Sequence, residues 1–181
     1  PLAAALAIQQ QVTIRPDDKV LLLGDGKLGQ LIAQTLALTG CELLVVGRHP
    51  QKLALLSGRG ITTGTAEDVE AGAFDVAVEC TGNAEGFALA HRSLRPGGTL
   101  VLKSTYAGKL ALDASALVVD EIAVVGSRCG SFAPALRTLA AERVEVESLI
   151  QARFSLQDGL EAFAKARERN CLKVLLNIGE I

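Results

Sequence analysis

Three glycines, Gly24, Gly26 and Gly29, stand at the spacing G-x-G-x-x-G within KVLLLGDGKLG, residues 19–29. That spacing suits one kind of chemistry, the holding of a pyrophosphate. The first glycine permits a tight turn out of a strand. The second has no side chain, so phosphate can approach the backbone. The third lets a helix pack close to the sheet. Free N–H groups at the helix start, with the positive end of its dipole, attract the anion. Asp25, Lys27 and Leu28 fill the turn and offer further backbone N–H groups. The carboxylate of Asp25 is given no charge role, since it would point away from an anion or repel it.

A second cluster, Gly47-Arg48-His49, follows about 20 residues on, where folds of this kind place an acid on the ribose 2′-hydroxyl. The acid's place is held by Gly47, with Arg48 next to it. A carboxylate would repel a 2′-phosphate, whereas a planar guanidinium binds one through charge-assisted hydrogen bonds. The expected cofactor is therefore NADP, with NAD as the alternative, and an acid at position 47 is expected to reverse the choice.

These residues need a scaffold, and the apolar runs supply it. Val20–Leu23, Leu43–Val46, Phe74–Glu79, Thr99–Leu102 and Ile122–Val125 read as strands, with a short one at Ile61–Thr63. Helical patterns lie between them, and short continuous apolar strands alternating with helices imply a parallel sheet covered on both faces. The expected fold is an α/β Rossmann domain, a doubly wound six-stranded sheet in the order 3-2-1-4-5-6. Ligands then sit beyond the carboxyl ends of the strands, at Gly24–Leu28, Gly47–His49, Cys80–Gly82, Lys103–Tyr106 and Ser127–Gly130. A helix at Pro1–Gln11 precedes the sheet. A helix with a possible Ser155 cap and a last strand at Lys173–Leu176 form an appendage beyond it. The expected division is residues 1–143 for the dinucleotide-binding domain and 144–181 for the appendage.

Composition narrows the partners. The net charge is −2 with both signs interspersed, which argues against nucleic acid or an anionic membrane surface. No apolar run nears the ~18 residues of a membrane span. No basic segment precedes Leu2–Ile8, so a secretion signal is not expected. The chain opens on Pro1, as expected of a processed chain or a piece of a longer one. Cys41, Cys80, Cys129 and Cys171 are widely and irregularly spaced. They read as small buried thiols of a cytoplasmic protein, neither a disulfide framework nor a metal site. The partner is expected to be a small-molecule substrate.

Several segments, in order, resemble the cofactor-binding half of the medium-chain dehydrogenase/reductases, the zinc alcohol dehydrogenase superfamily. They are the Pro1-Leu2 entry to an Ala-rich helix, GDGKLG, DVAVECTG at residues 75–82, LRPGGTLVL at residues 94–102, and FSLQDGLEAFAKARERNCLKVLL at residues 154–176. The resemblance implies an NAD(P)-dependent oxidoreductase moving a hydride between the nicotinamide and an alcohol, aldehyde or ketone. It implies that Lys52 lies at the adenosine ribose, and that Cys80, Thr81, Gly82, Ser104, Thr105 and Tyr106 line the adenosine and nicotinamide ends. Glu79 reads as a structural hydrogen-bonding partner. The catalytic zinc would belong to an N-terminal GroES-like domain not present in this sequence. The C-terminal helix and strand would pack on that domain, and this chain alone would be inactive. Family members commonly join sheet edges, so a homodimer through the sixth strand, Ile122–Val125, is expected. The alternatives are a non-catalytic nucleotide-sensing Rossmann module and a zinc-independent quinone-reductase-like member.

Overall fold

The computed structural model describes residues 1–179. In chain order the elements are α1 (Leu2–Gln11), β1 (Lys19–Leu23), α2 (Lys27–Ala37), β2 (Glu42–Val46), α3 (Pro50–Ser57), β3 (Thr62–Gly64), β4 (Phe74–Glu79), α4 (Ala84–Ser93) and β5 (Leu94–Leu102). There follow α5 (Ala114–Val119), β6 (Ala123–Gly126), α6 (Phe132–Ala140), β7 (Ile150–Ser155), α7 (Gly159–Ala166) and β8 (Lys173–Asn177). The first six strands form one parallel sheet in the order β3-β2-β1-β4-β5-β6. This is the expected doubly wound Rossmann arrangement.

Strand β1 shows why its sequence is apolar without interruption. Val20 and Leu22 enter one core cluster, together with residues of α1, α2 and α3. Leu21 and Leu23 enter the other, with Phe87, Leu89 and Ala90 of α4. Successive side chains point to opposite faces, and both faces are covered, so every position from Val20 to Leu23 is buried. Each such leucine contributes roughly 1.5–3 kcal/mol by leaving water.

Helix α1 is buried on more than one face. Leu2, Ala3, Ala5, Ala7 and Ile8 are all buried, while Leu6 is only partly so. Alanines allow close approach from several sides, and the helix lies against both α2 and α6. Lys103, at the carboxyl end of β5, fastens this corner. Its buried ammonium donates to the carbonyl of Ala4 at 2.7 Å, the hydroxyl of Ser127 at 3.1 Å and the carbonyl of Arg128 at 3.1 Å. Burial pulls its pKa below the ordinary lysine value, and the three acceptors give each proton of the ammonium a partner.

Strand β5 starts at Leu94, several residues before the expected Thr99, because Leu94 already pairs with Phe74 across a register shift. The appendage is larger than a helix and a strand. β7 pairs in parallel with β8, and α7 connects them. Ser155 does not cap α7: the N-cap is Asp158, whose Oδ2 accepts the Ser155 hydroxyl at 2.7 Å. The segment leading into the appendage is tied to the main sheet. The amide of Gln34 exchanges hydrogen bonds with the backbone of Glu145, at 3.0 and 2.7 Å. Val144, Leu149 and Leu172 are buried in the same cluster as β1.

Candidate functional site

The carboxyl ends of β1, β2 and β4 open into a cleft of about 550 Å³. Its walls are Leu23–Gly26 from the glycine turn, Val46–His49 from the end of β2, Lys52 from α3, and Cys80, Thr81 and Asn83 after β4. Glu85, Gly86, Ala88, Leu89 and Arg92 of α4, with Ala66, complete it.

The three glycines are required for different reasons. Gly24 has φ +126°, which L side chains rarely adopt, and a Cβ there would lie 2.9 Å from the carbonyl oxygen of Cys80. A Cβ on Gly29 would overlap the carbonyl of Gly24, 2.9 Å from its carbon. Both positions are dictated by the fold itself. Gly26 is different. Its φ of −71° and ψ of 177° suit any residue, and a Cβ would meet nothing within 4 Å. Gly26 is also the N-cap of α2, and no side chain caps that helix. The first N–H groups of an α-helix have no partner within it, so here they are left facing the open side of the turn.

Asp25 does something the sequence reading did not give it. The residue is only 6% exposed, and its carboxylate turns to the end of β2. Oδ2 accepts the N–H groups of Arg48 at 2.8 Å and His49 at 2.7 Å. The Nδ1 of His49 lies 2.9 Å from Oδ1 and 3.0 Å from Oδ2. Gly47 makes room for this. A Cβ at position 47 would stand on the carboxylate, 2.6 Å from the Cβ of Asp25 and 2.7 Å from its Cγ. An acid introduced at position 47 therefore has no space while Asp25 is present, so the single substitution does not simply reverse cofactor choice.

Gln30, buried on α2, braces the same corner. Its amide nitrogen donates to the carbonyls of Lys52 at 2.9 Å and Asp25 at 3.3 Å. Gln30 and Gln34 escaped the sequence reading, although two glutamines four residues apart in an apolar helical stripe are a usable signal of buried amide bridges. Lys52 lines the cleft with its side chain largely buried, and its ammonium donates to the carbonyl of Arg169 at 3.0 Å. Arg48 lies exposed on the cleft wall.

After β4 the chain turns around Glu79, which is fully buried. Its Oε1 accepts the N–H of Thr81 at 2.5 Å, the Thr81 hydroxyl at 2.5 Å and the N–H of Gly82 at 2.9 Å. Oε2 accepts the hydroxyl of Tyr106 at 2.6 Å. The structural role expected for Glu79 is what the geometry shows. Burial first, and then the Glu79 carboxylate, hold the Tyr106 phenol well above its ordinary pKa. Burial, assisted by Glu79, pushes the Cys80 thiol up to about 11, so it is protonated at neutral pH. Asn83 caps α4, its Oδ1 accepting the N–H of Gly86 at 2.8 Å.

Of the expected site residues, Gly24, Asp25, Gly26, Gly47, Arg48, His49, Lys52, Cys80 and Thr81 share the cleft wall. Lys27, Leu28 and Gly29 form the first turn of α2 beside it. Gly82 lies against Ser104 and Thr105, and Tyr106 joins them through Glu79. Asn83, Glu85, Gly86 and Arg92 were missed. Among the described residues no group of three or more His, Cys, Asp or Glu is placed to hold a metal ion. No helix among them is long and apolar enough to cross a membrane.

Comparison with known proteins agrees with this fold. The chain is 24% identical over 202 residues to D-arabinitol dehydrogenase 1 of Uromyces fabae, covering 96% of this chain and 55% of that protein. It is 27% identical over 192 residues to an Agrobacterium fabrum protein named as a D-xylulose reductase, covering 98% and 55%. The chain thus spans about half the length of these curated relatives. A Sinorhizobium meliloti protein described as a zinc-binding dehydrogenase and solved bound to NADP superposes with a TM-score of 0.89, at 25% identity, over 98% of this chain and 57% of that one. The zinc-binding dehydrogenase family model matches residues 28–145. The chain belongs to the zinc-binding dehydrogenase family, as its cofactor-binding domain.

Proposed function

We propose that this chain binds NADP(H) as the cofactor half of an alcohol or polyol oxidoreductase. The observation that carries the reading is Gly26. The fold does not require glycine there, since a Cβ would meet nothing within 4 Å, and Gly26 is itself the N-cap of α2, with no side-chain cap. A cofactor pyrophosphate explains both features. Gly24 to Gly29 would hold it with backbone N–H groups, Asp25, Lys27 and Leu28 included. Gly47, Arg48, His49 and Lys52 would surround the adenosine ribose. Cys80, Thr81, Gly82, Ser104, Thr105 and Tyr106 would line the path to the nicotinamide. The bound cofactor supplies hydride chemistry; this chain positions it.

The relatives' names suggest a polyol as substrate. Zinc, which the family name implies, finds no fitting donor set among the described residues. The group that polarises the substrate oxygen would come from an N-terminal domain. The appendage, of which residues 144–179 are described and the last two lie outside the described residues, would pack on that domain, and the outward Leu160 and Phe163 of α7, 88% and 63% exposed, suit that purpose. We place the protein in the cytoplasm on its four free cysteines, although they are not the buried thiols expected: Cys41, Cys80 and Cys171 are partly buried and Cys129 is exposed.

Cofactor choice is tested by titrating both cofactors by fluorescence. A guanidinium on a phosphate makes charge-assisted hydrogen bonds of about 1.5–3 kcal/mol, so Arg48→Ala is expected to weaken NADPH roughly tenfold to a hundredfold. NADH should change little. Equal binding of both cofactors by the wild type would make Arg48 an ordinary surface charge.

We also propose a homodimer through β6. This strand ends the sheet, and unpaired edges invite pairing. Val124, with Val118 and Val119 of α5, is exposed there. Light scattering should give twice the chain mass, with Val124→Lys shifting it to monomer. A wild type that stays monomeric at high concentration would contradict the proposal.

A further inference from the structure

The acid expected at the end of β2 is absent from position 47, yet a carboxylate occupies that place. It belongs to Asp25, from the glycine turn. A Cβ at Gly47 would fall 2.7 Å from the Asp25 Cγ, so residues 25 and 47 compete for one volume on the cleft wall. The donors around Asp25 are unevenly shared. Oδ2 receives Arg48 N–H at 2.8 Å and His49 N–H at 2.7 Å, with His49 Nδ1 at 3.0 Å. Oδ1 has His49 Nδ1 alone, at 2.9 Å. A carboxylate oxygen accepts about two hydrogen bonds, so among the described residues Oδ1 keeps unused capacity.

Resting on the NADP(H) reading above, we propose that Asp25 is a specificity-determining residue at the ribose end of the cofactor site. Its negative charge lies beside the same three-residue turn that carries Arg48. The two act in opposite directions on a 2′-phosphate: the guanidinium attracts it and the carboxylate repels it. On a plain 2′-hydroxyl the carboxylate acts as an acceptor. Asp25 thus tempers the NADP preference that Arg48 creates and keeps NADH within reach.

The test is Asp25→Asn in the full chain, alone and with Arg48→Ala, titrated with NADPH and NADH at low salt. Asparagine keeps the size of the side chain and its Oδ1 can still accept both backbone N–H groups. The His49 ring can face the new amide in its other tautomer. The expected result is a rise of about tenfold in the NADPH-to-NADH affinity ratio, the scale of one charge removed from beside a phosphate in a half-buried site. Both affinities shifting together, or an unchanged ratio, would overturn the proposal and make Asp25 a brace for the turn. Failure of the NADP reading shows separately, as an Arg48→Ala ratio equal to wild type. A second measurement covers poor folding of Asp25→Asn. Asp25→Gly combined with Gly47→Asp moves the carboxylate to the strand end. This pair should melt well above Gly47→Asp alone and keep a ratio near wild type. A pair as unstable as the single variant, or a ratio unlike wild type, would refute the shared volume.

Discussion

Gly29→Ala is expected to destabilise the protein by about 3 kcal/mol, the upper range for forcing extra atoms into a packed site. The methyl group would land on the carbonyl of Gly24, which is backbone and cannot rotate aside. Relief requires α2 to lift away from β1. That movement would loosen Leu31, Ile32 and Leu36, which α2 buries against the sheet. At about 2–4 °C per kcal/mol for a chain of this size, the melting temperature should fall by roughly 6–12 °C. Cofactor binding should fall with it, because the same movement spreads the glycine turn. A Gly29→Ala protein melting like wild type would mean that the helix does not approach the turn as closely as described.

Glu79→Ala should cost a similar amount by a different route. It strips the acceptor from two N–H groups and two hydroxyls at once. Each donor left dry costs about 1–3 kcal/mol, and the new cavity admits too little water to repair them all, so about 3 kcal/mol or more should be lost in urea unfolding. Tyr106 gives an independent readout, since it is the single tyrosine. Its phenol is held high by burial first and by Glu79 second. Removing Glu79 should lower its titration point towards, without reaching, the usual ~10. Glu79→Gln keeps an acceptor and should lie between. An ultraviolet titration unchanged in Glu79→Ala would break the link between β4 and the Ser104–Tyr106 loop.

Much of this architecture is legible in the sequence, and the reasons are local. β1 and β2 announce themselves because strands buried on both faces are almost wholly apolar, whereas β4 keeps the apolar Phe74, Val76, Ala77 and Val78 but admits Asp75 and the buried Glu79. The glycine turn is legible because each glycine answers a separate steric demand. β7 carried a usable signal too: Ile150, Ala152 and Phe154 alternate with Gln151, Arg153 and Ser155. Its partner β8 is far along the chain, which hid the pairing. α5 offers little, since none of its residues is buried. The start of β5 was masked by Pro96-Gly97-Gly98, which reads as a turn although Leu94 already pairs with Phe74. At the site, the absence of an acid at position 47 was visible, but its cause was not. Asp25 and Gly47 are 22 positions apart and meet only because β1 and β2 are neighbours in the sheet. Likewise Lys52 reaches Arg169 only in three dimensions.

On the proposed function, the open side of the glycine turn takes a dinucleotide. Gly26→Ala tests it most directly, because the protein alone has no need of glycine there. Alanine at a helix N-cap costs only around 1 kcal/mol, so the melting temperature should stay within about 4 °C of wild type. The new methyl group would stand where we propose the pyrophosphate approaches, and NADPH affinity measured by fluorescence titration should drop at least about tenfold, the effect of losing some 1.4 kcal/mol. A folded Gly26→Ala protein that binds NADPH as tightly as wild type would contradict the account.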